Sequence, residues 1–186
     1  MKIRGSRYRF DKTGGFHVNS NQGENMAIAG RIKQFLDDQG ITYDTSTHAE
    51  TFTSADEAKA IGVPPGHVAK TLVVRTGGGE VLAVLPASNR MDMHKLRDVL
   101  GDNHARLATE DEMGSEFSDF ELGAVPPLGS LFEMPVYLDK RLEQADEVVF
   151  AGGSHRDSVK MSGEDFLKLT HPIVVDLVKE TEEAVY

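Results

Sequence analysis

Two aliphatic, β-branched runs at 68–75 and 80–86 flank Thr76-Gly77-Gly78-Gly79, and this hairpin limits the fold more than any other stretch of the sequence. A strand pair of that length has to bury its side chains, so the remaining elements must be able to cover it. They have the right patterns. Ile28, Ile32, Phe35 and Leu36 recur at helical spacing ahead of Gly40, which predicts an amphipathic helix over 27–39. Residues 43–47 read as a short strand. Ser54 reads as the cap of a second helix, with Glu57 completing a capping box and Gly62 stopping it before Pro64-Pro65. Helices follow at 93–100 and 109–116, then a Gly/Pro loop at 123–130. Strands near 135–138, 147–151 and 157–161, a Ser162-capped helix to about 169, and a strand at 173–178 complete the pattern. Strands and helices interleave while the strands pair through short turns, which predicts an α+β fold: a mixed, curved, barrel-like β-sheet surrounded by helices.

A length of 186 residues with 39% hydrophobic content suits one core. Residues 1–25 hold five basic side chains (Lys2, Arg4, Arg7, Arg9, Lys12) against two acidic ones (Asp11, Glu24), and they lack apolar periodicity. They are expected to be a flexible basic extension or leader without function, with 26–186 as a single domain. The functional alternative is a basic arm that contacts nucleic acid. The whole chain has a formal net charge of −10, which argues against broad binding to phosphate backbones, so DNA is not an expected partner. No stretch approaches the roughly 20 apolar residues of a membrane span. A soluble, cytoplasmic protein without a membrane partner is expected.

Several chemistries fail on spacing or composition. The sequence has no cysteine, which excludes disulfides, thiolate metal sites and a cysteine nucleophile. Gly66-His67-Val68-Ala69-Lys70-Thr71 ends like a phosphate-binding loop, but it lacks the glycine before the lysine and runs into a strand. The seven histidines show no metal-ligand spacing, and neither Ser88 nor Ser154 sits in a nucleophile elbow. No cofactor and no metal are expected.

Three features in the middle of the chain remain. Lys70 opens the strand Ala69-Lys70-Thr71-Leu72-Val73-Val74. Gly123-Ala124-Val125-Pro126-Pro127-Leu128-Gly129 is a loop with two glycines and two prolines. Phe150-Ala151-Gly152-Gly153-Ser154-His155 is a strand that runs into a tight turn and presents an imidazole. With His48-x-x-x-x-Phe52-Thr53 ahead of them and Met161-Ser162-Gly163-Glu164-Asp165-Phe166 behind, their order and spacing over roughly 27–180 resemble the YbaK/prolyl-tRNA synthetase associated domain family. Among its branches, the histidine after Ala-Gly is similar to the free-standing alanyl-tRNA(Pro) deacylases.

The resemblance implies a hydrolase that cleaves the ester of mischarged tRNA(Pro), most simply Ala-tRNA(Pro), at the acceptor end, with prolyl-tRNA synthetase as a second possible partner. It implies Lys70 and Gly123 as the catalytic pair. Ala124, Val125 and Pro127 would shape the substrate loop, with backbone N–H groups near 123–125 gripping the carbonyl. Phe52, Thr53 and His155 would line the amino-acid pocket. An aminoacyl ester is already activated, so placing water and stabilising an oxyanion suffices. A Cys-tRNA(Pro) deacylase of the YbaK type and a non-catalytic tRNA-binding module stand as alternatives.

Overall fold

The computed structural model describes residues 29–180, preceded by the backbone of two short antiparallel strands, β1 (Tyr8–Phe10) and β2 (Phe16–Val18). The rest of the expected leader, 1–25, lies outside the described residues. From there the order is α1 (Gly30–Asp38), β3 (Tyr43–Thr47), α2 (Ser54–Ile61), β4 (Ala69–Thr76) and β5 (Gly79–Pro86). Next come α3 (Met93–Leu100), β6 (Arg106–Leu107), α4 (Glu110–Glu116), α5 (Gly129–Phe132), β7 (Val136–Asp139) and α6 (Lys140–Glu143). The chain closes with β8 (Glu147–Ser154), β9 (Asp157–Ser162), α7 (Gly163–Thr170) and β10 (Ile173–Val175).

The expected α+β architecture is present. The β4–β5 hairpin pairs in register from Ala69–Pro86 to Thr76–Gly79, with Gly77-Gly78 as its turn. It sits inside a five-stranded sheet ordered β10-β7-β5-β4-β6, parallel across β5, β7 and β10 and antiparallel elsewhere. A second, antiparallel sheet has the order β3-β9-β8. The two touch through one parallel bridge between Val68 and Val149, so the expected barrel-like sheet remains open.

Both faces of the hairpin are covered, which explains why its strands are continuously apolar rather than alternating. Val73, Leu82 and Val84 join Ile32, Leu36, Phe150 and Phe166 in the main core. Their neighbours Val74, Val81 and Ala83 pack on the other side against Leu96 and Leu177.

Ser162 caps α7 as expected, accepting the Asp165 N–H, and Thr109 and Glu112 form a complete capping box at the start of α4. The cap of α2 differs. Thr53, rather than Ser54, is the N-cap: its Oγ1 accepts the Asp56 N–H at 3.1 Å and donates to Asp56 Oδ2 at 2.6 Å. The one-residue shift moves Glu57 out of the capping box and turns it inward. β6, α5 and α6 are too short for their patterns to stand out in the sequence. β10 ends at Val175 because the backbone is diverted: Leu177 N–H donates to the buried Asp139 Oδ2, and Asp176 pairs with Lys140 and Lys95.

A carboxylate cluster lies beside β5. Arg75 reaches Glu80, Glu112 and Glu116. Burial, a hydrogen bond with Glu116 and that residue's charge push the Glu80 carboxyl up from 4.5 to about 7. A carboxyl whose folded value is raised holds its proton more tightly when folded. Its contribution is therefore full below 4.5 and is lost as the pH rises to about 7. Thermal melts at about pH 5 and about pH 8 should show this loss in the wild type, and Glu80→Gln should reduce it by raising the melting temperature at the higher pH.

Candidate active site

A glycine bulge sets the geometry of the site. β8 and β9 pair regularly up to Ala151–Ser158, then shift register before Ser154–Asp157. Gly152 and Gly153 are buried in this bulge, not in the tight turn expected from the sequence. Gly153 has φ +99°, and a Cβ there would stand 2.8 Å from Ala29 Cβ and 3.0 Å from Phe120 Cδ1, so only glycine fits. The freed carbonyls are used: Gly152 accepts the Ala29 N–H at the start of α1, and Gly153 accepts the Glu121 N–H, each at 2.9 Å. The Glu121 carboxylate in turn accepts the His155 N–H at 2.6 Å.

Opposite the bulge, the loop after β3 is stitched to the β8–β9 turn. His48 N–H donates to the Arg156 carbonyl at 2.8 Å, and Thr51 N–H donates to the His155 carbonyl at 2.9 Å. A small pocket of about 40 Å³ lies between them. Loop 48–53 contributes His48, Thr51, Phe52 and Thr53; α2 contributes Ser54 and Glu57; the bulged strand contributes Ala151, Ser154 and His155; Gly123 closes the pocket. Phe52 is 74% exposed, and its ring lies 5.3 Å from that of His155 at 48°.

Four residues expected at the site from the sequence therefore meet around one pocket: Phe52, Thr53, Gly123 and His155. The Thr53 hydroxyl is engaged in capping α2. Ala124, Val125 and Pro127 are buried, with Val125 in the main core, and shape the loop from behind. The Ala124 N–H is already given to the Glu121 carbonyl, whereas those of Gly123 and Val125 have no acceptor among the described residues. Lys70 is not in the pocket wall. It stands two residues past the Val68–Val149 bridge, as Ala151, which does line the pocket, stands two residues past it on β8. Its ammonium donates to the Asn89 carbonyl. Burial, and then the charge of Arg90, lower its pKa.

Sequence reasoning missed the deepest part of the site. Glu57 is only 6% exposed and accepts the Ser158 hydroxyl, while His48 Nε2 lies 2.9 Å from Ser158 Oγ and His48 Nδ1 lies 2.8 Å from the Ala49 carbonyl. Burial raises the Glu57 pKa, opposed by the Ser158 hydrogen bond and the two imidazoles, His48 and His155. The available signal was His48 itself, which heads the 48–53 motif. Among the described residues, no group of three or more histidines and carboxylates is placed to hold a metal, and no helix is long and apolar enough to cross a membrane.

Comparison with known proteins places the chain within a family. The family model of the aminoacyl-tRNA editing domain matches residues 48–169, which include every pocket-lining residue. The chain belongs to the aminoacyl-tRNA editing domain family. As a member it is an aminoacyl-tRNA deacylase, a hydrolase of ester bonds. It is 28% identical over 151 residues to the multifunctional Ser/Thr-tRNA deacylase ProXp-y of Escherichia coli (strain K12), covering 78% of this chain and 90% of that one. It is 33% identical over 130 residues to the proline–tRNA ligase of Trichlorobacter lovleyi, covering 68% of this chain and 22% of the ligase. A crystal structure of a candidate trans-editing enzyme for prolyl-tRNA synthetase superposes with a TM-score of 0.73 at 31% identity, over 82% of this chain and 97% of that one. The editing fold and chemistry expected from the sequence follow from these likenesses. The alanine-specific branch does not, since the E. coli relative is named for serine and threonine.

Gly123 tests the pocket wall. At φ +88° a side chain is strained by about 1–2 kcal/mol, and its Cβ would lie 3.7 Å from His155 Cε1. Gly123→Val should remain folded with a lower melting temperature while deacylation falls by about 10-fold or more, because the branched side chain fills space the substrate needs. Unchanged turnover in the folded variant would make the loop a connector only.

Proposed function

We propose that the chain removes a small amino acid from mischarged tRNA(Pro), with Ala-tRNA(Pro) as its substrate and the acceptor end as the part of the tRNA it grips. The carrying observation is the small pocket closed by Gly123, His155 and Phe52, which has room for a short side chain. The need for such an enzyme is energetic. A synthetase pocket sized for proline rejects a smaller residue by only about 1–3 kcal/mol per missing methylene, so alanine must be cleared by a second, tighter site.

In this reading, Gly123 and the free N–H groups of its loop approach the ester carbonyl and stabilise the oxyanion as water attacks. Lys70 binds the sugar or phosphate of the terminal nucleotide. Its ammonium is held by a backbone carbonyl, which suits a binding role better than that of a general base. Prolyl-tRNA synthetase as a second partner is supported by the similarity to a segment of a proline–tRNA ligase.

Serine or threonine is the second reading. Hydroxyl-bearing Thr51, Ser54 and Ser154 line the pocket and suit a hydroxylated side chain, and the E. coli relative carries that name. A deacylation panel of tRNA(Pro) charged with Ala, Ser, Thr, Cys and Pro decides between them. Alanine should be released fastest and proline left intact. Faster release of serine or threonine would replace the alanine assignment, and hydrolysis of none would overturn the reading. Two variants refine the test. His155→Ala should lower turnover of alanine more than that of serine or cysteine, and Lys70→Ala should cut deacylation by about 100-fold without unfolding the protein.

A further inference from the structure

We propose that Glu57 is the receptor for the α-ammonium of the aminoacyl group, an inference that rests on the deacylase reading of this pocket. Among the described residues, Glu57 is the sole carboxylate in the pocket wall, and no lysine or arginine lines it. Its side chain is almost wholly buried, yet it makes no ion pair with any described residue. A carboxylate withdrawn from water without a cation is costly, and a ligand that brings the cation relieves that cost. The only formal charge an amino-acid ester carries next to its reacting carbonyl is its α-ammonium.

The group is also aimed. One carboxylate oxygen, Oε1, takes the Ser158 hydroxyl from β9. Ser158 is steadied in turn by His48 Nε2 at 2.9 Å. The two ring nitrogens of His48, one against Ser158 and the other 2.8 Å from the Ala49 carbonyl, lock the ring in place. Oε2 takes no hydrogen bond from the described residues, and Glu57 lines the pocket. A charge-assisted bond from an ammonium to a fixed carboxylate is shorter and stronger than one to a neutral imidazole, so Glu57 rather than His155 carries ammonium recognition. Burial raises the Glu57 pKa, and the Ser158 hydrogen bond together with His48 and His155 opposes that rise.

The test compares two esters on the same tRNA: the aminoacyl form and its 2-hydroxyacyl counterpart, in which a neutral hydroxyl replaces the ammonium. The wild type should prefer the aminoacyl ester by about 10- to 100-fold in kcat/KM, the range set by one charged hydrogen bond. Glu57→Gln retains an oxygen for Ser158 but removes the charge. It should abolish that preference by lowering turnover of the aminoacyl ester while leaving the hydroxyacyl ester within about twofold. Glu57→Asp, which keeps the charge but withdraws it by one methylene, serves where Glu57→Gln does not fold, and should show a reduced preference. Equal treatment of the two esters by the wild type would overturn the proposal while leaving the deacylase reading intact. So would equal loss of both in folded Glu57→Gln, which would make Glu57 a brace for loop 48–53. Hydrolysis of neither ester by the wild type would overturn the deacylase reading and the proposal with it.

Discussion

The site depends on two carbonyls released from a sheet ladder. Where β8 bulges at Gly152-Gly153, those carbonyls stop pairing with β9 and bind the backbone at Ala29 and Glu121 instead. One contact anchors the start of α1, and the other fixes the segment that delivers Gly123. The bulge also swings Ser154 and His155 to the pocket side of the turn. Any side chain at 153 would strike Ala29 and Phe120, so the conformation tolerates no substitution.

The pocket shows how an acidic protein can handle a polyanionic substrate. It needs no strong nucleophile, because an aminoacyl ester is activated before it arrives, and orientation together with backbone donors can supply the rate. Its wall combines one carboxylate, two imidazoles, several hydroxyls and one exposed aromatic ring. That set complements a small cationic group better than a phosphate. Outside the pocket wall, Lys70 stands near the exposed Arg90.

Long-range chemistry was less legible in the sequence than local chemistry. The hairpin, the Thr109 and Ser162 helices and strand 43–47 could be read because their signals are periodic or lie within four residues. The order of motifs from His48 to Phe166 carried the family. The inward turn of Glu57 could not be read, because a Ser-x-x-Glu spacing looks like a capping box whichever residue caps, and only the Thr53–Asp56 bond decides it. Nor could its partner, since Ser158 sits on a strand 101 residues later. Ala151-Gly-Gly-Ser reads as a turn by composition; its burial as a bulge depends on α1 and Phe120 packing against it.

The distances along the chain between pocket partners also bear on when the enzyme comes into being. Glu57 meets Ser158 across 101 residues, and His48 meets the same serine across 110. Neither half of the site has anything to hold until the β8–β9 hairpin exists. Closing so long a segment is a late and entropically expensive event, whereas the β4–β5 hairpin can form from its neighbours alone. A chain growing from its N-terminus on the ribosome would thus carry a folded hairpin long before it carried a pocket. Editing activity would switch on only when its last strands emerged.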